Sequence, residues 1–174
     1  MNSNLKRFDE NTRVKFPAII HFLRLDYNYQ SLKDAQIDFN TKIFVNRFKT
    51  AIEKINDIEL TNEDVFSLID EIHSLMKFND LGKELYKRLT STEYAIKLID
   101  FEDITNNDFA VVGELPFSIK ENTEEGSFRP DINILINGIP LAFLEVKHPN
   151  NSGGIQVEFE RMINKRLKND DYKK

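Results

Sequence analysis

Residues 128–147 read FRPDINILINGIPLAFLEVK, and the dipeptide at their centre, Asn137-Gly138, decides how the chain on either side of it folds. Asn-Gly between two alternating apolar runs is the strongest short-range hairpin signal, because both residues tolerate the left-handed backbone of a two-residue turn. Strands are therefore expected over 128–136 and 139–147. Upstream, the period of two recurs over 109–119, and at Tyr94, Ile96, Leu98 and Phe101. The turn-forming run Thr105-Asn106-Asn107-Asp108 separates these two, and 121–126 reads as a charged turn. Four successive strands predict an antiparallel meander.

Before residue 92 the period is helical. Pro17 suits the first turn of a helix carrying Ile19, Ile20, Phe22 and Leu23, with Tyr27 and Tyr29 in the turn that follows. Ile43, Phe44, Phe48, Ala51, Ile52 and Ile55 share one face of a second helix. Thr61 with Asp64 three residues on resembles a capping signal for a third, which carries Val65, Phe66, Leu68, Ile69, Ile72 and Met76. A fourth, about 81–89, is expected to turn Leu81, Leu85, Tyr86 and Leu89 inward. Phe44, Phe48, Phe66 and Phe78 are assigned to the core rather than to base stacking. After the break Asn150-Asn151-Ser152-Gly153-Gly154, a last helix is expected over 155–167. The expectation is an α+β chain. A helical region, 1–91, packs on a mostly antiparallel four-stranded sheet, which together with the following helix makes up 92–174.

Composition narrows the function classes. The 174 residues hold 24 Lys+Arg against 29 Asp+Glu, a net charge of −5, which excludes a generally basic nucleic-acid coat. The imbalance is uneven: residues 1–160 hold 18 basic and 27 acidic groups, net −9, whereas 161–174 hold 6 and 2, net +4. An apolar fraction of 40% with 14 Phe is enough for one sizeable core. The absence of Cys excludes disulfides, thiol catalysis and cysteine-ligated zinc, and suits a reducing cytosol. No apolar run is long enough to span a membrane, so a soluble, cytoplasmic protein is expected.

The chemistry concentrates in the hairpin. Asp131 precedes it; Glu145 and Lys147 close it, two residues apart and so on one strand face. Phosphodiester hydrolysis needs a hard divalent cation on oxygen ligands, an activated water and a positive group near the developing charge. Asp131, Glu145 and the carbonyl of Val146 are candidate ligands, and Lys147 is the candidate cation. An ion pair on a wet sheet face is the plainer reading of Glu-x-Lys alone; Pro130-Asp131 at a 14-residue interval across the turn is more specific. One geometric condition follows. In a regular two-residue hairpin 136 pairs with 139, so Asp131 would face Leu144 and the two carboxylates would lie on opposite faces. A shared metal requires a one-residue offset: a bulge at Gly138, an irregularity at Pro140, or Asp131 bending round the strand end.

The run from about Asp80 to Arg166 resembles the N-terminal nuclease domain of the R subunit of type I restriction enzymes, within the PD-(D/E)xK nuclease superfamily. The resemblance rests on Lys97-Leu-Ile-Asp100-Phe, Asn106-Asn107-Asp-Phe109, Phe128-Arg129-Pro130-Asp131-Ile132, Ile136-Asn137-Gly138-Ile-Pro140-Leu141, Glu145-Val-Lys147-His-Pro149-Asn150-Asn151 and Gly154-Ile155. Thr12-Arg13-Val-Lys-Phe16-Pro17 is also similar to an N-terminal extension in some of these subunits. The resemblance implies Mg²⁺-dependent cleavage of duplex DNA in phage defence, within a complex of methyltransferase and specificity subunits driven by an ATP-dependent translocase. It places Asp131, Glu145 and Lys147 in the catalytic positions. Nothing here resembles the translocase's phosphate-cradling loop, so ATP is not assigned to this chain, which is expected to be a fragment with a truncated nuclease core. Gln156 is followed four residues on by Glu160 rather than by the Tyr of many relatives.

Glu84 reads as a solvated helix residue, with a further metal-site acid as the alternative. His21, His73 and His148 receive no role. Arg161, Lys165, Arg166 and Lys168 fall near one helical stripe, open either to DNA phosphates or simply to solvent. The competing function is a non-catalytic module that docks onto a methyltransferase or a DNA-bound partner.

Overall fold

The computed structural model describes residues 11–117, 128–147 and 153–166. A π-helical turn, Asn11–Lys15, leads into α1 (Phe16–Arg24), which has Pro17 in its first turn. A two-residue strand, β1 (Asn28–Tyr29), comes before α2 (Val45–Asn56), α3 (Asn62–Met76) and α4 (Lys83–Thr90). Three longer strands follow, β2 (Phe109–Gly113), β3 (Ile132–Ile136) and β4 (Ile139–Leu144), and then α5 (Gly154–Arg161) with a π turn over Met162–Arg166. The sheet order is β1-β2-β3-β4, with β1 parallel to β2 and the other pairs antiparallel. The fold is α+β with a four-stranded, mostly antiparallel sheet, as the sequence predicts. The charged turn at 121–126 and the loop at 148–152 lie outside the described residues.

Two elements differ from expectation. Tyr29 is in a strand rather than a turn, and Gln30 extends the pairing by donating its N–H to Val111 O at 2.8 Å. The 94–101 stretch, by contrast, forms no strand, so the sheet is not a meander of four successive strands. Nor does burial follow a period of two: the consecutive residues Leu98, Ile99 and Asp100 are buried, while Tyr94 and Phe101 are exposed. Side-chain amides, not a neighbouring strand, take up the backbone groups here. Asn56 accepts from Lys97 N at 2.7 Å and donates to Lys97 O at 2.9 Å, while Asn137 Nδ2 reaches Leu98 O at 2.8 Å and Asn107 Oδ1 accepts from Asp100 N at 2.9 Å. Here the apparent period of two predicted neither the burial nor the pairing, and the partners decided both.

The helices behave largely as their patterns dictate. In α3 the Thr61 side chain accepts from Asp64 N while Asp64 accepts from Thr61 N, a complete capping box. Phe48, Ile52, Val65, Ile69 and Ile72 form the main core with Ile43 and Leu98. Phe66 and Phe78 do not join it; they are 44% and 56% exposed, because each falls on the outer side of its turn. Leu81, just before α4, and Tyr86 within it are exposed as well. Leu85 and Leu89 do pack on the main core, and Arg88 joins them inward, buried, paired with Glu71 at 2.7 Å, donating to Ile96 O and lying over the Tyr94 ring at 4.0 Å. A guanidinium can take a core position when carboxylate, carbonyl and ring meet its donors and its face together.

The turn β3–β4 is the two-residue one expected. Asn137 and Gly138 both have positive φ, 52° and 77°, and Ile136 pairs with Ile139. Gly138 is required twice over: a Cβ there would stand 2.7 Å from Phe48 N and 2.9 Å from Phe44 O, where the turn meets the start of α2. Its carbonyl accepts from Phe44 N at 3.0 Å. Asn137 is wholly buried, bonded to Leu98 O, Asn107 Oδ1 and Asp108 N. Asp100, Asn106, Asn107 and Asn137, motif residues apart from Asp131, Glu145 and Lys147, thus serve to hold the hairpin in place.

Candidate functional site

The ladder between β3 and β4 carries a register shift between Ile134 and Leu135: Leu135 pairs with Pro140, but Ile134 pairs with Ala142. Leu141 is the extra residue, and its side chain packs on the main core. Proline has no N–H to give to the ladder, so irregular pairing beside Pro140 follows from its chemistry. The shift carries through Asn133–Phe143 to Ile132–Leu144. Continued by one residue beyond the last pair, it would set Asp131 opposite Glu145, the juxtaposition that a regular hairpin denies. Of the three routes the sequence leaves open, the irregularity beside Pro140 is present.

Val146 packs with Ile19, Val111 and Ile132 on the face that carries α1. Alternation then places Glu145 and Lys147 on the opposite face, with Phe143 and Asn133. Val146, whose carbonyl the sequence nominates as a ligand, meets Asp131 through its N–H, which donates to Asp131 Oδ2 at 2.9 Å. Asp131 is held from the other side too, its carbonyl accepting from Glu114 N at 3.2 Å. Glu114 has a positive φ of 56° and pairs with the buried Lys15, so the π turn before α1 is pinned to the strand end that bears Asp131.

The helix α5 supplies two charges: Glu158, which sequence reasoning did not single out, and Arg161, which it left open to DNA phosphates or solvent. Glu158 accepts from Arg161 Nε at 2.9 Å and Nη2 at 2.6 Å through one oxygen, and its other oxygen lies 3.9 Å from Lys147 Nζ. Arg161 Nη2 is 3.9 Å from Glu145 Oε1. The two carboxylates are mostly buried, at 12% and 14% exposure for Glu145 and Glu158, while Arg161 is 43% exposed. The sequence signal was present in the i,i+3 pair Glu158–Arg161, but such pairs are ordinary on helix surfaces. Glu84 is not brought here; it pairs with Lys87 on the surface of α4.

Asp131 and Glu145 are hard oxygen donors at adjacent register positions, which suits a divalent cation of the Mg²⁺ type. Among the described residues no three His, Asp or Glu are gathered closely enough to cage an ion. Mg²⁺ is ordinarily held by one or two carboxylates and keeps several waters, so a two-carboxylate set fits it. Asn133 adds a second observation. It is 1% exposed, two residues along the strand from Asp131, and its Nδ2 has no hydrogen-bond partner. A buried amide donor without a partner carries a desolvation cost that a buried water would relieve.

The family described as "Type I restriction enzyme R protein N terminus" matches this chain over residues 7–173. The chain is 30% identical over 174 residues to a Methanocaldococcus jannaschii protein provisionally named as the endonuclease subunit of type I restriction enzyme MjaIXP, a match covering 87% of this chain and 16% of that protein. It is 28% identical over 131 residues to the endonuclease subunit of the type I restriction enzyme HindI of Haemophilus influenzae, covering 67% of this chain and 12% of the relative. The chain thus spans less than a fifth of the length of either relative.

Proposed function

We propose, from the premise that this chain belongs to the family of type I restriction enzyme R protein N termini, that it is the Mg²⁺-dependent endonuclease domain of such a subunit and cuts duplex DNA without sequence preference of its own. The Leu141 bulge supports the reading, since the shifted register, continued one residue beyond the Ile132–Leu144 pair, would bring Asp131 and Glu145 onto one face. In this reading, Asp131 and Glu145 would hold the ion, with Val146 fixing the Asp131 carboxylate through its N–H. A bound Mg²⁺ would polarise the scissile phosphate and lower the cost of ionising a water. Lys147, kept beside the site by Glu158, orients the attacking water or stabilises the charge on the pentavalent phosphorus.

These groups address the phosphate backbone, not base edges, so target choice falls to partner subunits. On this proposal those partners are the methyltransferase and specificity subunits of a type I complex, and the superfamily is PD-(D/E)xK. No helix among the described residues is long and apolar enough to cross a membrane. The test is nicking of supercoiled plasmid with Mg²⁺ by the wild type, Asp131→Ala and Lys147→Ala. Nicking by the wild type that falls at least ~100-fold in both variants supports the nuclease, in line with the loss of a transition-state contact. Absence of metal-dependent nicking by the wild type overturns it in favour of a docking module.

A further inference from the structure

The four charges contributed by β4 and α5 form an alternating chain: Glu145, Arg161, Glu158, Lys147. Its middle link is tight and its outer links are loose. Arg161 is bound to Glu158 through Nε and Nη2, at 2.9 and 2.6 Å, whereas its approach to Glu145 and that of Lys147 to Glu158 are both 3.9 Å, too long for hydrogen bonds. A guanidinium has five N–H donors in a planar fork. Two of Arg161's point at Glu158; among the described residues the other three have no hydrogen-bond partner, and the side chain is 43% exposed. Glu158, mostly buried, fixes the fork while leaving its outer edge open beside Glu145.

We propose that Arg161 is a phosphate-binding residue of the nuclease site, and that Glu158 is the positioning residue that aims both Arg161 and Lys147 at the DNA strand. The inference rests on the nuclease reading for what the site does, but the contact itself needs only DNA. The chemistry is that of bidentate guanidinium–phosphate recognition, for which Lys is a poor substitute. The need is electrostatic: residues 1–160 carry a net −9, so a polyanion can approach Glu145 only where cations offset the field. Arg161 stands where the basic C-terminal segment begins, next to that carboxylate.

The experiment uses the 174-residue chain and a fluorescein-labelled 30-base-pair duplex in Ca²⁺, which holds the complex without turnover, with affinity followed by anisotropy between 50 and 200 mM salt. One phosphate contact accounts for about 0.9 of slope in log affinity against log salt. Arg161→Ala is expected to lower affinity about fivefold or more and reduce that slope by about 0.9, in a chain that circular dichroism shows to be folded at the assay temperature. Arg161→Lys should keep most of the slope and lose part of the affinity. Glu158→Gln should weaken DNA binding less than Arg161→Ala, while slowing nicking through Lys147. An Arg161→Ala chain with wild-type affinity and salt slope overturns the proposal. If the slope falls but the wild type does not nick, the nuclease reading fails and the phosphate contact stands; nicking with an unchanged slope has the opposite meaning.

Discussion

Gly138 shows how narrowly a single residue can be specified. Its φ of 77° costs an L-residue about 1–2 kcal/mol. A Cβ would also press on backbone atoms of Phe44 and Phe48, which cannot rotate away as a side chain tip can. Gly138→Ala is therefore expected to destabilise the chain by at least about 2 kcal/mol, read from the urea unfolding midpoint. An unchanged midpoint would mean that the turn is not packed against α2 as described. Asn133 makes a complementary case. An unpartnered buried amide costs about 1–3 kcal/mol, so Asn133→Val should leave the thermal midpoint equal or raise it. If that amide faces bound water or phosphate, the same change should slow Mg²⁺-dependent nicking several-fold. A variant that is less stable and fully active would contradict both halves.

Among the elements, the helices owe their boundaries to local chemistry, and the strands owe theirs to partners. The capping box of α3 satisfies orphan N–H groups within three residues of chain, so Thr61→Ala should cost about 1 kcal/mol and leave nicking intact. A loss far above that would show the Thr61 hydroxyl engaged elsewhere. The hairpin of β3 and β4 is equally local, because Asn137-Gly138 sets its turn and Pro140 its irregularity. The position of β1 is not local. Two residues have no periodicity to read, and the parallel partner lies some eighty residues away in sequence. The same limit explains Arg88, whose buried place depends on Glu71 arriving from α3 and on Tyr94 and Ile96 O from the stretch after α4. It explains Glu158 as well, an unremarkable helix residue until β4 brings Lys147 beside it.

At the scale of the whole molecule, a set of polar side chains ties the hairpin to the segment before it. Asp100 is central: Asn106 Nδ2 and the N–H groups of Asp103 and Glu102 hold its carboxyl below the usual carboxylate range. Asp64 is lowered likewise by the Thr61 hydroxyl and N–H. Both groups bind a proton less readily folded than unfolded. Their contribution to stability is thus complete above the ordinary carboxylate values, near 4, and is lost as the pH falls below them through the lowered folded values. The urea midpoint is expected to drop between pH 6 and pH 3, and to drop less in Asp100→Asn. Equal drops in the two chains would remove Asp100 from that account.

The α+β class, the capped third helix, the Asn-Gly turn and the need for an offset between Asp131 and Glu145 were all determined by sequence alone, because each depends on residues within about fifteen positions of one another. Tertiary structure decided what depends on distant segments. It recruited Asn28–Tyr29 to the sheet, denied strand pairing to 94–101 by answering its backbone with asparagine amides, and brought Glu158 and Arg161 to β4. The physical reason is that a pattern of side chains records which face is buried, whereas a hydrogen bond or an ion pair requires a partner, and the partner's arrival is a property of the folded chain.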